Sequence, residues 1–304
     1  MKPSFDLQGH RGARGLKPEN TLPAFETAFD IGVTSVETDL HLTADGVAVL
    51  VHDPFISETI YRRFSDNVPD PSERPLVKNL SLAQLRCYRG DQNPDPARFP
   101  DQDASETLLA IWFARSRGID PYGIPAVADL LAFAEAYAGE PGKRVGKTTE
   151  QQARARQVRF DLEIKRVPFH PQWQDDVLER QLIKDLHSAG MMNRATVRSF
   201  DHRSVRAVHS LEPGLATEVL VAGIAPLEPA RLVTAVNARI YCPDFYFLDE
   251  EQVEQLHAAG IRVLPWTVND PADWSRLLDW GVDGITTDHP ERLADLLRQR
   301  NIEF

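Results

Sequence analysis

The sequence predicts an α/β fold, a (β/α)8 TIM barrel with an added hairpin strand and a long insertion after it. Short apolar segments of strand length alternate with amphipathic segments of helix length along most of the chain, the pattern of a parallel sheet wrapped in helices. Eight such strand segments are present. The Asp45-Gly46 turn folds one further segment back as a hairpin, and a stretch rich in Pro, Asp and Asn then interrupts the repeat.

In chain order, a strand over residues 5–9 leads into a helix over 21–31, and residues 34–40 form the second strand. Glu37 and Asp39 are two apart on it and leave by the same face. Thr43-Ala44-Asp45-Gly46 turns the chain and residues 47–52 return antiparallel. His52 is thereby expected across from Glu37 or Asp39, depending on loop type. The insertion occupies 53–157. Within it, 66–75 and 90–103 suit surface loops, 108–115 and 127–137 suit helices, and the charged segment 143–156 suits a mobile connector. It separates two strands whose C-terminal ends carry the chemistry, so it is expected over the active-site face or beside it, as a lid or else as a passive surface excursion. Strands then follow at 159–164, 195–199, 216–221, 239–242, 262–266 and 284–286. Helices at 173–189, 202–211, 229–235, 250–259, 271–280 and 290–298 join and follow them, with Gly190 and Gly260 at stop positions. Phe160, Leu162 and Ile164 share one face of their strand and leave Asp161, Glu163 and Lys165 on the other. Such charges are tolerated best at the open upper end of a barrel.

At 304 residues and 42% hydrophobic content the chain suits one large core, a single domain over 1–304. A net charge of −11 excludes a nucleic-acid-binding surface. It suits a phosphate substrate only if the cleft is locally positive, which a cation with Arg11 and Lys165 would achieve. Cys87 and Cys242 are far apart and read as two structural thiols rather than a disulfide. No signal peptide, membrane span or exposed amphipathic membrane segment is visible, so no stable membrane association and a cytoplasmic location are expected, or a periplasmic one if a leader has been removed.

The first 53 residues contain Gly9-His10-Arg11-Gly12, Pro18-Glu19-Asn20-Thr21, Glu37-Thr38-Asp39 and His52-Asp53. Cleaving a phosphate diester requires charge stabilisation on the non-bridging oxygens, a base for the attacking oxygen and an acid for the departing alkoxide. Glu37, Asp39 and Glu163 are three oxygen ligands without a cysteine, suited to a hard divalent cation, Mg²⁺ or Ca²⁺. His10 and His52 close predicted strands beside these ligands and are the candidates for base and acid, in either order. His41, His170, His187, His202, His209, His257 and His289 are read as structural. Arg11 offers a planar fork to the phosphate and Lys165 a point charge. Asn20 either caps the helix beginning near Thr21 or reaches the site. Phe200 and Trp266 either wall the cleft or pack in the core.

These blocks resemble the glycerophosphodiester phosphodiesterase family, whose pattern runs His-Arg-Gly, Pro-Glu-Asn-Thr, Glu-x-Asp, then His-Asp. The resemblance continues through Asp161-Leu162-Glu163-Ile164-Lys165, Arg198-Ser199-Phe200, Trp266-Thr267-Val268-Asn269 and the block from Gly281 to Asp288. It implies hydrolysis of a glycerophosphodiester, a small-molecule substrate, to glycerol phosphate and an alcohol such as choline or ethanolamine. It also implies that His10 and His52 are the catalytic pair and that Glu19 and Asn20 border the metal site. Two rivals share the barrel: a lysophospholipase D-like enzyme and a phospholipase that stops at a cyclic phosphate. A non-catalytic phosphate-binding barrel is a third, but a binding module needs neither acid nor base. The chain departs from the family after His-Asp, with Phe55-Ile56-Ser57-Glu58-Thr59-Ile60 in place of Arg-Thr-Thr, and with Ile124-Pro125-Ala126-Val127 in place of Ile-Pro-Thr-Leu. Both departures bear on the rim that selects the alcohol.

Overall fold

The computed structural model describes residues 4–166 and 176–304. The chain opens with β1 (Asp6–Gly9), α1 (Leu22–Ile31), β2 (Ser35–Leu42) and β3 (Ala48–Leu50). It continues through β4 (Arg62–Arg63), the single turn α2 (Leu82–Leu85), β5 (Tyr88–Arg89), α3 (Leu108–Arg117), α4 (Val127–Ala138), α5 (Glu140–Arg144) and α6 (Thr149–Ala155). A regular alternation follows: β6 (Arg159–Ile164), α7 (Val177–Ala189), β7 (Ala195–Ser199), α8 (His202–Leu211), β8 (Ala216–Val221), α9 (Pro229–Thr234) and β9 (Ile240–Pro243). It ends with α10 (Glu250–Ala258), β10 (Arg262–Val263), α11 (Pro271–Asp279), β11 (Gly284–Thr287) and α12 (Pro290–Gln299).

Eight parallel strands run in the order β10-β9-β8-β7-β6-β2-β1-β11. Asp283 N donates to Val263 O at 2.9 Å and Thr286 N to Pro265 O at 3.1 Å, which joins the two ends as a (β/α)8 barrel. The strand expected over 262–266 is shorter as a ladder because Pro265 has no N–H to give, yet Trp266 N still reaches Pro243 O at 3.1 Å. Alternation divides each strand between helix layer and interior. Leu7, Val36, Leu162, Val197, Val219 and Ile285 are buried in the main apolar core that includes the helices. Gln8, Glu37, Asp161, Glu163, Arg198 and Glu218 are buried too, so the barrel interior is largely polar, with a small apolar patch of Leu220, Ile240, Cys242 and Leu264. The helix expected from 173 is described from Val177; residues 173–175 and His170 lie outside the described residues.

Three expectations are corrected. The hairpin loop spans 43–47 and sets Leu42 against Ala48 and Leu40 against Leu50, so Val51, whose N donates to Asp39 O at 3.1 Å, and not His52, stands opposite Asp39. The segment 143–156 is no connector. It holds α6, which starts at a capping box in which Thr148 accepts from Gln151 N and the Gln151 side chain accepts from Thr148 N. Lys147 Nζ ties it to α1 through Glu26 Oε1 and Asp30 Oδ2, both at 2.7 Å. Helix α4, inside the predicted insertion, belongs to the layer that covers the barrel, with Leu130 and Phe133 in the main core. Between β3 and α4 the chain forms its own small apolar cluster, including Ile56, Val77, Leu85 and Tyr88. Among the described residues no helix is long and apolar enough to cross a membrane.

Candidate active site

A cleft of about 400 Å³ opens at the C-terminal ends of the strands, where (β/α)8 barrels place their ligands. Strand alternation brings Glu37, Asp39 and Glu163 together beneath it, with one oxygen from each within 4.8 Å of the others, all three buried. The register explains this, since Asp39 lies beside Glu163 in the β2–β6 ladder and Glu37 is two residues back on the same face. Lys165 Nζ stands 3.0 Å from Asp39 Oδ1 and 2.6 Å from Glu163 Oε1. Neither oxygen has a well-directed hydrogen bond. Burial and the adjacent Asp39 carboxylate push Glu37 up to about 8. Burial acts on Asp39 in the same direction, but Lys165 and Arg11 outweigh it and hold that carboxyl well below its usual range. Three buried hard oxygen donors, two of them without a well-directed hydrogen bond and with repulsion only partly offset by Lys165 and Arg11, fit a divalent cation.

The turn after β1 supplies the next group. Gly12 has φ +87°, and a Cβ on Gly9 would lie 2.4 Å from Gly12 O, so only glycine permits this close fold onto α1. Arg11 at φ 50° and Asn20 at φ 57° are also left-handed, a strained state that concentrates at functional sites. Arg11 turns its Nε to Asp39 Oδ2 at 3.1 Å and its Nη1 to Glu19 Oε1 at 2.7 Å, while its backbone N donates to Glu37 Oε2 at 3.2 Å. Asn20 Nδ2 donates to Asp39 Oδ2 at 2.9 Å. Thr21 rather than Asn20 caps α1, so the capping alternative for Asn20 falls away.

The two histidines differ in setting. His10 Nδ1 donates to Asp288 Oδ1 at 2.6 Å, with Nε2 3.8 Å from Glu37 Oε2. Burial, helped by Arg11, carries its pKa down to about 4 against the pull of Asp288. His52 pairs with Asp53 Oδ1 at 2.8 Å, and its side chain is 36% exposed. Phe200 and Trp266 both line the cleft, edge to face with ring centroids 5.3 Å apart, and Tyr246 joins them. Arg11, Arg14, Arg98, Lys165 and Arg198 line it as well, interleaved with Glu37, Glu163 and Asp244. A larger groove of about 710 Å³ at the opposite ends of β8 and β9 is lined by Thr217, Thr234, Asn237, Arg239 and neighbours and gathers no comparable chemistry.

The sequence matches the profile of the Glycerophosphoryl diester phosphodiesterase family over residues 10–292. The chain belongs to this family. It is a phosphoric diester hydrolase of the glycerophosphodiester phosphodiesterase type. A glycerophosphodiester phosphodiesterase of Caldanaerobacter subterraneus subsp. tengcongensis is 26% identical over 292 residues, covering 95% of this chain and 96% of that one. One of Bacillus subtilis is 27% identical over 289 residues, covering 93% and 83%. A Silicibacter pomeroyi DSS-3 structure, provisionally assigned as a glycerophosphoryl diester phosphodiesterase, superposes with a TM-score of 0.79 at 27% identity over 99% of this chain and 96% of that one. An Oleispira antarctica phosphodiesterase solved with the product sn-glycerol-3-phosphate shares the fold, with a TM-score of 0.71 at 20% identity over 96% of each chain.

In this phosphodiesterase the fold gathers all eleven residues singled out from the sequence around one cleft: the acidic trio, both histidines, Arg11, Lys165, Glu19, Asn20, Phe200 and Trp266. Sequence reasoning missed Asp288, Asn269, Arg14 and Arg98. The first two lie in blocks that match the family, so a signal existed but no role was attached to it. Arg14 Nε pairs with Glu19 at 2.7 Å, four residues beyond His10 on a turn without periodicity. Arg98 sits in a Pro- and Asp-rich loop and reaches Asp288 Oδ2 at 2.9 Å, a contact across 190 positions that no local pattern announces.

Proposed function

We propose that the enzyme hydrolyses glycerophosphodiesters to glycerol 3-phosphate and an alcohol, with a divalent cation, Mg²⁺ or Ca²⁺, held by Glu37, Asp39 and Glu163. The observation that carries this reading is the cluster of three buried carboxylate oxygens between two histidines that line the same cleft. Such a cation would supply charge stabilisation on the non-bridging phosphate oxygens. Lys165 and Arg11 would bear on the same charge from the protein side. One of His10 and His52 would take the proton of the attacking water and the other would return one to the departing alkoxide. Glu19 and Asn20 support this arrangement by holding Arg11 and Asp39. Phe200 and Trp266 would form the wall against the glycerol or the alcohol. The product seen with the Oleispira antarctica enzyme supports glycerol 3-phosphate as the phosphate-bearing half. Residues 91–103, through Arg98, are the part of the insertion that reaches the cleft, so a lid or substrate-selecting role belongs there and not to 143–156.

A lysophospholipase D-like activity has one observation in its favour: Tyr246 is 78% exposed at the cleft, and Ile224 and Leu227 are exposed on the loop after β8. Protein stripped of metal and incubated with glycerophosphocholine should show glycerol 3-phosphate by phosphorus NMR only when Mg²⁺ or Ca²⁺ is restored, whereas cleavage of lysophosphatidylcholine would show as lysophosphatidic acid. Full turnover in excess chelator would overturn the metal assignment, and cleavage of the lysolipid alone would favour the second reading.

A further inference from the structure

Asp288 follows β11 and is wholly buried, yet its carboxylate is engaged on every side. Oδ1 accepts from His10 Nδ1 at 2.6 Å. Oδ2 accepts from Asn269 Nδ2 at 2.7 Å and from Arg98 Nη2 at 2.9 Å. Asn269 Oδ1 in turn accepts from the backbone N of Asp288 at 2.9 Å and from Thr287 Oγ1 at 3.1 Å, which fixes the amide that fixes the carboxylate. The backbone is pinned as well, since His10 N donates to Thr287 O at 3.0 Å and Gly15 N to Asp288 O at 2.7 Å. A carboxylate on Nδ1 selects the tautomer with its proton there, sets the plane of the ring and turns the Nε2 lone pair into the cleft.

We propose that Asp288 is a positioning residue for His10 and that Arg98, supplied by the insertion, holds Asp288 in that role. The inference rests on the reading that His10 moves a proton. It gives the loop 91–103 a task in turnover itself, distinct from contact with substrate. Phe99 anchors the loop, being fully buried with the Arg14 and Arg98 guanidinium groups over its ring at 4.8 and 5.0 Å. Gln102 Nε2 adds a bond to Arg14 O at 2.7 Å.

The test compares Asp288→Asn, Arg98→Ala, Arg98→Lys and the Asp288→Asn/Arg98→Ala pair, with His10→Ala as reference. Asp288→Asn should lower kcat on glycerophosphocholine by roughly 10² to 10⁴ with KM within about threefold, because an amide can present its N–H to Nδ1 and trap the wrong tautomer. Arg98→Ala should lower kcat by about tenfold with KM nearly constant, and Arg98→Lys should recover part of it. In the double variant Arg98→Ala should add less than about twofold, since both changes act through one carboxylate. In metal-free protein the Nδ1–H proton resonance of His10 should be visible by NMR, lost in Asp288→Asn and shifted in Arg98→Ala. A rise in KM alone for Arg98→Ala, or additive losses in the pair, would overturn the relay and make Arg98 a substrate contact. Arg98 is half-exposed, so its variants carry the test should Asp288→Asn fail to fold. If His10→Ala keeps full activity, the catalytic reading of His10 falls first; if His10→Ala is inactive while Asp288→Asn turns over normally, only the present proposal falls.

Discussion

Asp161, Glu218 and Arg198 on the barrel floor and Glu37, Asp39 and Glu163 at its mouth are equally buried; they differ in what answers their charge. On the floor, Arg198 Nε donates to Asp161 Oδ1 at 2.8 Å, and its Nη2 reaches Asp161, Glu218 Oε2 at 2.7 Å and Gln8 Oε1 at 3.0 Å. Gln8 Nε2 donates to Asp161 Oδ2 at 2.9 Å and Cys242 Sγ to Glu218 Oε2 at 2.9 Å, so the circuit closes within the protein. At the mouth, three carboxylates share Lys165 and Arg11 and leave two oxygens poorly satisfied. A satisfied network rigidifies a core, whereas an unsatisfied one is held in place for a ligand.

Opposite responses to substitution would sharpen this contrast. Arg198→Ala should leave two buried carboxylates unpaired and destabilise the fold by about 3–5 kcal/mol, read as a large fall in Tm whether or not metal is present. Glu163→Gln should leave the metal-free Tm nearly unchanged, because the repulsion with Asp39 that it removes offsets the Lys165 ion pair that it loses. It should abolish the stabilisation expected from a divalent ion at this cluster, which in the unaltered protein would reach about 2.7 kcal/mol at 100 times Kd. If Glu163→Gln still gains the full metal-dependent shift, mouth and floor are not different in kind.

A smaller effect concerns the wall of the mouth. His41 Nε2 donates to His52 O at 3.1 Å, and burial, with Lys165 close by and only partly offset by Asp39, pulls its pKa down to about 4. The unfolded ring accepts a proton near 6.5, so between that pH and about 4 the unfolded state binds more protons. The neutral ring's contribution is therefore whole above pH 6.5 and is lost as pH falls toward 4, by at most about 3 kcal/mol. His41→Gln should flatten the stability curve over that window; parallel melting curves for variant and parent from pH 7 to 4 would refute the assignment.

The smallest effect is expected far from the cleft. Lys147→Ala removes the ties to Glu26 and Asp30 and should cost about 1–3 kcal/mol of stability, with kcat and KM on several diesters unchanged. A kinetic effect comparable to that of Arg98→Ala would show that 143–156 takes part in turnover.

Much of this was legible before any coordinates. The alternation of Phe160, Leu162 and Ile164 with Asp161 and Glu163 separates an apolar from a charged face, and the spacing of Glu37 and Asp39 predicts their shared face. The position of His52 was misread because hairpin register depends on loop length. Here Val47 N bonds to the Thr43 hydroxyl at 2.9 Å, making a longer loop than the Asp-Gly pair alone suggests. The capping box at Thr148 was present in the sequence but hidden by the polar composition around it. Asp288 and Arg98 were out of reach for another reason: they meet His10 only because β11 closes beside β1 and a distant loop folds over both.

The tight turn from Gly9 to Gly12 has a consequence for how such an enzyme diversifies. Added side chains there would strike Gly12 O and the Ala24 backbone at 2.4 and 2.7 Å, so the stretch bearing His10 and Arg11 has almost no freedom to vary. Libraries seeking new alcohol preferences should leave 9–12 and Arg98 untouched and randomise Tyr246, which stands exposed at the same cleft.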